Sequence, residues 1–165
     1  MNIAYLNIGT NQGHRQSNID KAVALLRSDI PHSGLRLSDP VRSKPWGFDS
    51  SNDFLNIGVS LYTPLSPYQL LDALQSIEKK ISPLSHRDTY GHYIDRTLDI
   101  DIIAMNRNDG THYIINTPRL VLPHPHMLQR EFVLKPMSQL ASHWIHPVTG
   151  ETPADSLRRL AAVDS

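Results

Sequence analysis

The chain has 165 residues, and its 16 Lys and Arg balance 16 Asp and Glu to a formal net charge of zero. That balance excludes sequence-independent binding to long nucleic acids, which needs an excess of basic residues. A hydrophobic content of 39% argues against intrinsic disorder, and the lack of cysteine removes disulfides, thiolate nucleophiles and Cys-ligated zinc.

No run approaches the roughly 18–20 apolar residues of a membrane span. The first eight residues lack the basic region and small-residue cleavage site of a signal peptide. The expectation is a cytoplasmic protein with no membrane or nucleic-acid partner. Without repeats or low-complexity tracts, residues 1–165 read as a single domain.

Ile3 to Ile8 is apolar and stops at Gly9-Thr10-Asn11, which predicts a first strand and a turn. Ser17, with Asp20 three residues on, predicts the start of a helix whose buried stripe is Ile19, Ala22, Val23 and Leu26. Pro31 ends it. Leu35 to Val41 reads as a second strand, weakened by Pro40, and residues 44–53 as a loop. In the third strand, Leu55, Ile57, Val59 and Leu61 alternate with Phe54, Asn56, Gly58, Ser60 and Tyr62. One face is then aliphatic and the other mixed polar and aromatic. Ser66-Pro67 with Gln69 predicts a capped second helix, buried through Leu70, Leu71, Leu74, Ile77 and Ile81. A long polar loop fills 82–95, and Leu98 to Ala104 is the fourth strand. The order is that of an α+β, ferredoxin-like βαββαβ sandwich. A C-terminal extension adds a short strand near Tyr113 to Ile115, a Pro/His loop and one or two short helices.

The fourth strand carries Asp99 and Asp101. Two residues apart on a strand, both carboxylates leave one face, with Cα atoms about 6.5–7 Å apart. They can share a hard cation or hold two. Leu98, Ile100 and Ile102 point the other way, and helices on one side only would leave the acidic face open to a ligand. An Asp-x-Asp pair can equally be a solvated strand face paired to Arg or Lys. Three features favour a site here. Asp is disfavoured in strand interiors, Arg96 lies just upstream, and Phe54 and Asn56 occupy the non-aliphatic face of another strand. Two acids with separated arginines suit phosphoryl transfer. Downstream stand Arg119, His124, His126, Arg130 and Phe132. The histidines lack a third metal ligand at a known spacing and suit nucleotide contacts better. Trp46 is open to two readings, a core aromatic or a cover over a ring. His143 and His146, flanking Trp144, read as surface or cap residues.

The segment Arg96-Thr97-Leu98-Asp99-Ile100-Asp101-Ile102 resembles the signature of the 6-hydroxymethyl-7,8-dihydropterin pyrophosphokinases. The likeness extends to Tyr5–Asn11, to Phe54-Leu55-Asn56, to Asn116–Leu120 with Pro123-His124, and to Arg130-Glu131-Phe132. The resemblance implies transfer of pyrophosphate from the co-substrate ATP to the pterin, with two Mg²⁺ ions. Asp99 and Asp101 would be the magnesium ligands, with Arg96 and Arg87 as catalytic arginines. Asn56 would bind the pterin edge, and Phe54 and Phe132 would sandwich the ring. Ser43, Lys44 and Trp46 would line that pocket. Gln75, Glu78, Arg96, Ile102, Arg119, Val121, His124 and Arg130 would surround ATP. The expected partners are these small molecules, and the expected state is a monomer. The loop before Arg96 departs from the family pattern at His92, Ile94 and Asp95, leaving Arg87 as its mobile arginine, and Pro125 replaces a common Tyr. A binding module that has lost turnover and a protein-interaction domain are the competing readings.

Overall fold

The computed structural model describes residues 1–44, 53–81 and 98–164. The expectations for Trp46, Arg87, Arg96 and the whole 82–95 loop fall outside these residues. Strand β1 (Asn2–Thr10) is followed by helix α1 (Arg15–Asp29), then β2 (Ser33–Leu37), β3 (Val41–Ser43) and β4 (Phe54–Thr63). Helix α2 (Pro67–Ile81) leads to β5 (Asp99–Asn106), the short β6 (Ile115–Asn116) and β7 (Val121–Leu122), and helices α3 (Glu131–Leu140) and α4 (Pro153–Asp164). The sheet runs β2-β4-β1-β5 with β3 also on β4, and its pairs are antiparallel. The first strand lies between the third and the last of the βαββαβ core, the ferredoxin-like order.

Local chemistry explains most boundaries. Gln69 Oε1 accepts the Ser66 N–H at 2.9 Å, and Ser66 Oγ accepts the Gln69 N–H at 3.3 Å. This reciprocal cap starts α2 where the sequence predicts. Helix α1 starts earlier than Ser17, because the Asn18 N–H already donates to His14 O. The Asn18 side chain, donating to Thr10 Oγ1 and Gln12 O, ties that first turn to the end of β1. The predicted strand over Leu35 to Val41 is two strands. At the break, Ser38 Oγ accepts the Gly58 N–H at 2.8 Å, and Pro40 follows without an N–H to give to a ladder.

The sheet is covered on both faces, not one. Leu6, Ile8, Ile57, Val59, Ile100 and Ile102 pack with α1 and α2 in one core. On the other face Tyr5, Ile103 and Ala104 pack with Val133, Leu134 and Met137 of α3 in a second core. The close seat of α3 depends on Gly58, where an added Cβ would stand 2.5 Å from Pro136 Cβ. The end of this face holding Asp99 and Asp101 retains an open cleft.

His146, predicted as surface or cap, is a buried cap. Its Nδ1 accepts the N–H groups of Val148 and Thr149. Burial first, then His112, holds its pKa below the usual 6.5. As pH falls through 6.5 the unfolded chain gains this proton before the folded chain does, so stability falls toward acid. His146→Gln should flatten that acid-side loss in melting temperatures followed from pH 7.5 to 5.

Candidate active site

Strand register assembles the cleft. Gly9 of β1 lies between Asn56 of β4 and Asp99 of β5, and Asn7 pairs with Asp101. Ser43 of β3 pairs with Phe54. Helix α3 brings Phe132 over the same end. These residues enclose a narrow slot of about 40 Å³, with Lys44 and Arg130 also on its wall. The predicted Ser43, Lys44, Phe54, Asn56 and Phe132 are thus brought together with both aspartates.

The slot is polarised by how Asn56 is held. Its amide nitrogen donates to Ser43 Oγ at 2.8 Å and to Val41 O at 3.2 Å. The amide hydrogens are spent on β3, so the Asn56 carbonyl is the acceptor available to a ligand. That oxygen lies over Gly9, where an added Cβ would come within 3.0 Å of it and 3.5 Å of Phe54 Cδ1. A side chain at residue 9 would fill the slot.

A second chamber of about 230 Å³ lies at the β5 edge, formed by Ile100, Ile102, Arg119, Val121 and His124. Asp101 lines both chambers. Arg119 is paired with Asp72 of α2 and lies over the Tyr68 ring. Backbone bonding fixes His124 against β5, its N–H donating to Ile103 O at 2.7 Å. Burial, with Arg130 and His126 nearby, pushes the His124 pKa down to about 4. Its Nδ1 accepts the His126 N–H at 3.2 Å. At neutral pH it is therefore an uncharged Nε2–H donor, 4.0 Å from Asp101 Oδ2.

Arg130 and Gln75, expected around the nucleotide, do not line the β5-edge chamber. Arg130 stands on the wall of the aromatic slot, 3.9 Å from Asp101 Oδ2 and 5.6 Å from the centre of the Phe132 ring. Gln75 is an exposed residue of α2 that lines neither chamber. Glu78, expected around ATP, lines neither chamber and stands near the aspartates, its Oε2 accepting the Ile100 N–H at 2.9 Å. Burial, then the charges of Asp99 and Asp101, push the Glu78 pKa up to about 8. Asn7 and Gly9 are lining residues that were not singled out. Their place follows from pairing with distant strands, which no local pattern encodes.

The donor set can be tested against magnesium. Among the described residues no three His, Asp or Glu side chains stand in metal-holding geometry. Magnesium does not need three, since one or two carboxylates plus substrate phosphates and water complete its octahedron. Asp99 and Asp101 supply hard oxygens at the slot, and Asp101 reaches the second chamber as well. The residues fit the ion.

An α+β sandwich with two ligand chambers meeting at one carboxylate defines the class. The family model described as 7,8-dihydro-6-hydroxymethylpterin-pyrophosphokinase (HPPK) matches residues 5–142, and the chain belongs to this family. A 2-amino-4-hydroxy-6-hydroxymethyldihydropteridine pyrophosphokinase of Porphyromonas gingivalis is 37% identical over 157 residues, covering 95% of this chain and 100% of that protein. The Bacillus subtilis protein of the same description is 33% identical, over 95% of this chain and 89% of that one. A Plasmodium falciparum HPPK-DHPS crystal structure has the same fold, with a TM-score of 0.71 over 98% of this chain at 14% identity. The chain spans 44% of that longer structure. Among the described residues no helix is long and apolar enough to cross a membrane.

Proposed function

We propose that the chain transfers the β,γ-pyrophosphoryl group of ATP to the hydroxymethyl oxygen of 6-hydroxymethyl-7,8-dihydropterin, giving AMP and the pterin diphosphate. The observation that carries this reading is the position of Asp101 on the shared wall of the aromatic slot and the β5-edge chamber. A reaction between two ligands needs their reacting atoms held together.

The pterin occupies the slot, its ring between Phe54 and Phe132 and its N–H edge on the Asn56 carbonyl. ATP occupies the second chamber, its apolar parts on Ile102 and Val121 and its phosphates toward Arg119, His124 and Asp101. The pterin oxygen bonds to the β-phosphorus as the bond from that phosphorus to the α,β-bridging oxygen breaks, AMP leaving with that oxygen and the hydroxyl proton passing to water. His124 donates its Nε2–H to a phosphate oxygen without bringing a positive charge, while Arg130 offsets negative charge from the slot side. Asp99 and Asp101 would hold two magnesium ions. When bound, these would neutralise phosphate charge and orient the triphosphate. Arg87 and Arg96 are proposed as further phosphate partners. On this reading the chain acts as one domain and as a monomer.

AMP release from ATP that requires both the pterin and Mg²⁺ tests this function. Binding of both ligands without AMP release would identify the chain as a binding module instead. Asn56→Ala should weaken pterin binding about 10- to 100-fold, equivalent to about 1–3 kcal/mol for an unmet ligand donor. ATP binding should change less than threefold. Calorimetric titration of each ligand separates the two effects, and equal weakening of both would contradict the assignment of the slot.

A further inference from the structure

Helix α3 contains Pro136, six positions into a ten-residue element. Proline has no N–H, so the carbonyl four residues earlier loses its helical partner. That carbonyl belongs to Phe132, the aromatic residue of the slot. Its replacement donor comes from the sheet: Asn7 Nδ2 donates to Phe132 O at 3.0 Å. Asn7 is only 6% exposed and sits on β1 opposite Asp101. The bond spans 125 residues of sequence.

We propose that Asn7 is a positioning residue for the pterin. It supplies the hydrogen bond that Pro136 removes, and so fixes the first turn of α3 and the Phe132 ring at the height of the ligand slot. This inference rests on the slot being the pterin site. The need for a donor does not, because a carbonyl shielded from water and left without a partner is costly in any protein. The geometry also explains how one helix meets two demands. Pro136 packs its ring against β4 at Gly58, where a Cβ would approach to 2.5 Å. Phe132, one turn earlier, is left with a carbonyl that the sheet itself can hold. Strand and helix are thereby joined at the point where the aromatic wall must not shift.

The test is a double-mutant cycle on the full chain. Asn7→Ala should raise the pterin Kd and KM about tenfold, leave the ATP KM within twofold, and speed hydrogen exchange in the first turn of α3. Pro136→Ala keeps a Cβ for packing and restores the N–H that can bond Phe132 O. In Asn7→Ala/Pro136→Ala the pterin KM should therefore return to within about twofold of the Pro136→Ala single variant. Asn7→Ala without effect on pterin binding would overturn the proposal. So would a loss that Pro136→Ala does not repair, which would mark Asn7 as a direct ligand contact. If the unaltered chain bound no pterin at all, the slot assignment would be at fault. The exchange rates of α3 in the four proteins would still decide whether Asn7 holds Phe132.

Discussion

Asp101→Ala is expected to lower pyrophosphoryl transfer by about 10²–10³-fold, the scale of losing one preorganised electrostatic partner of a transferring phosphoryl group. The fold should survive. The side chain is one-third exposed and lies on the cleft, and Asp101 belongs to neither hydrophobic core. Its backbone bonds to β1 do not depend on the side chain. Melting temperature and far-UV circular dichroism should therefore stay close to those of the unaltered protein. Steady-state AMP release over a magnesium titration is the relevant assay. A near-normal rate with a normal magnesium requirement would remove Asp101 from the metal site.

Gly58→Val should be the most damaging change to the fold. Its Cβ would stand 2.5 Å from Pro136 Cβ, 3.2 Å from Leu140 Cδ1 and 3.3 Å from Ser38 Oγ. Pro136 is a ring within a helix and cannot rotate away, so α3 must lift from β4. Overpacking of this kind costs about 1–3 kcal/mol, or more where neighbours cannot yield. Here the lift also disturbs the Ser38 Oγ bond to the Gly58 N–H, which marks the turn between β2 and β3. Urea unfolding should show a midpoint well below that of Gly58→Ala, and pterin binding should weaken because Phe132 moves with the helix. A midpoint equal to that of the unaltered chain would mean that α3 is seated elsewhere.

The elements legible in the sequence are those with local signals. The alternation from Phe54 to Tyr62 marks a strand without any partner in view, and the Ser66–Gln69 cap is written within four residues. Asp99 and Asp101 share a face because strand geometry leaves no other choice. What stayed hidden depends on contacts between distant segments. The helix at Glu131–Leu140 contains a proline, which local propensity reads as a break. Its burial on the second face of the sheet closed a surface that the pattern suggested was open. Tyr5, Ile103 and Ala104 are the residues that receive it. Arg130 precedes that helix directly, so its place in the slot follows from where the helix docks. The same holds for Asn7, whose neighbours Asp101 and Phe132 are fixed only by tertiary pairing.

A crystal structure of the chain with Mg²⁺, the pterin and a non-hydrolysable ATP analogue tests the account most directly. The account predicts the ring between Phe54 and Phe132, the adenine side of the nucleotide near Ile102 and Val121, and metal density about 2.1 Å from carboxylate oxygens of Asp99 and Asp101. Both ligands bound with no cation at that pair, or the pterin bound outside the slot, would contradict it.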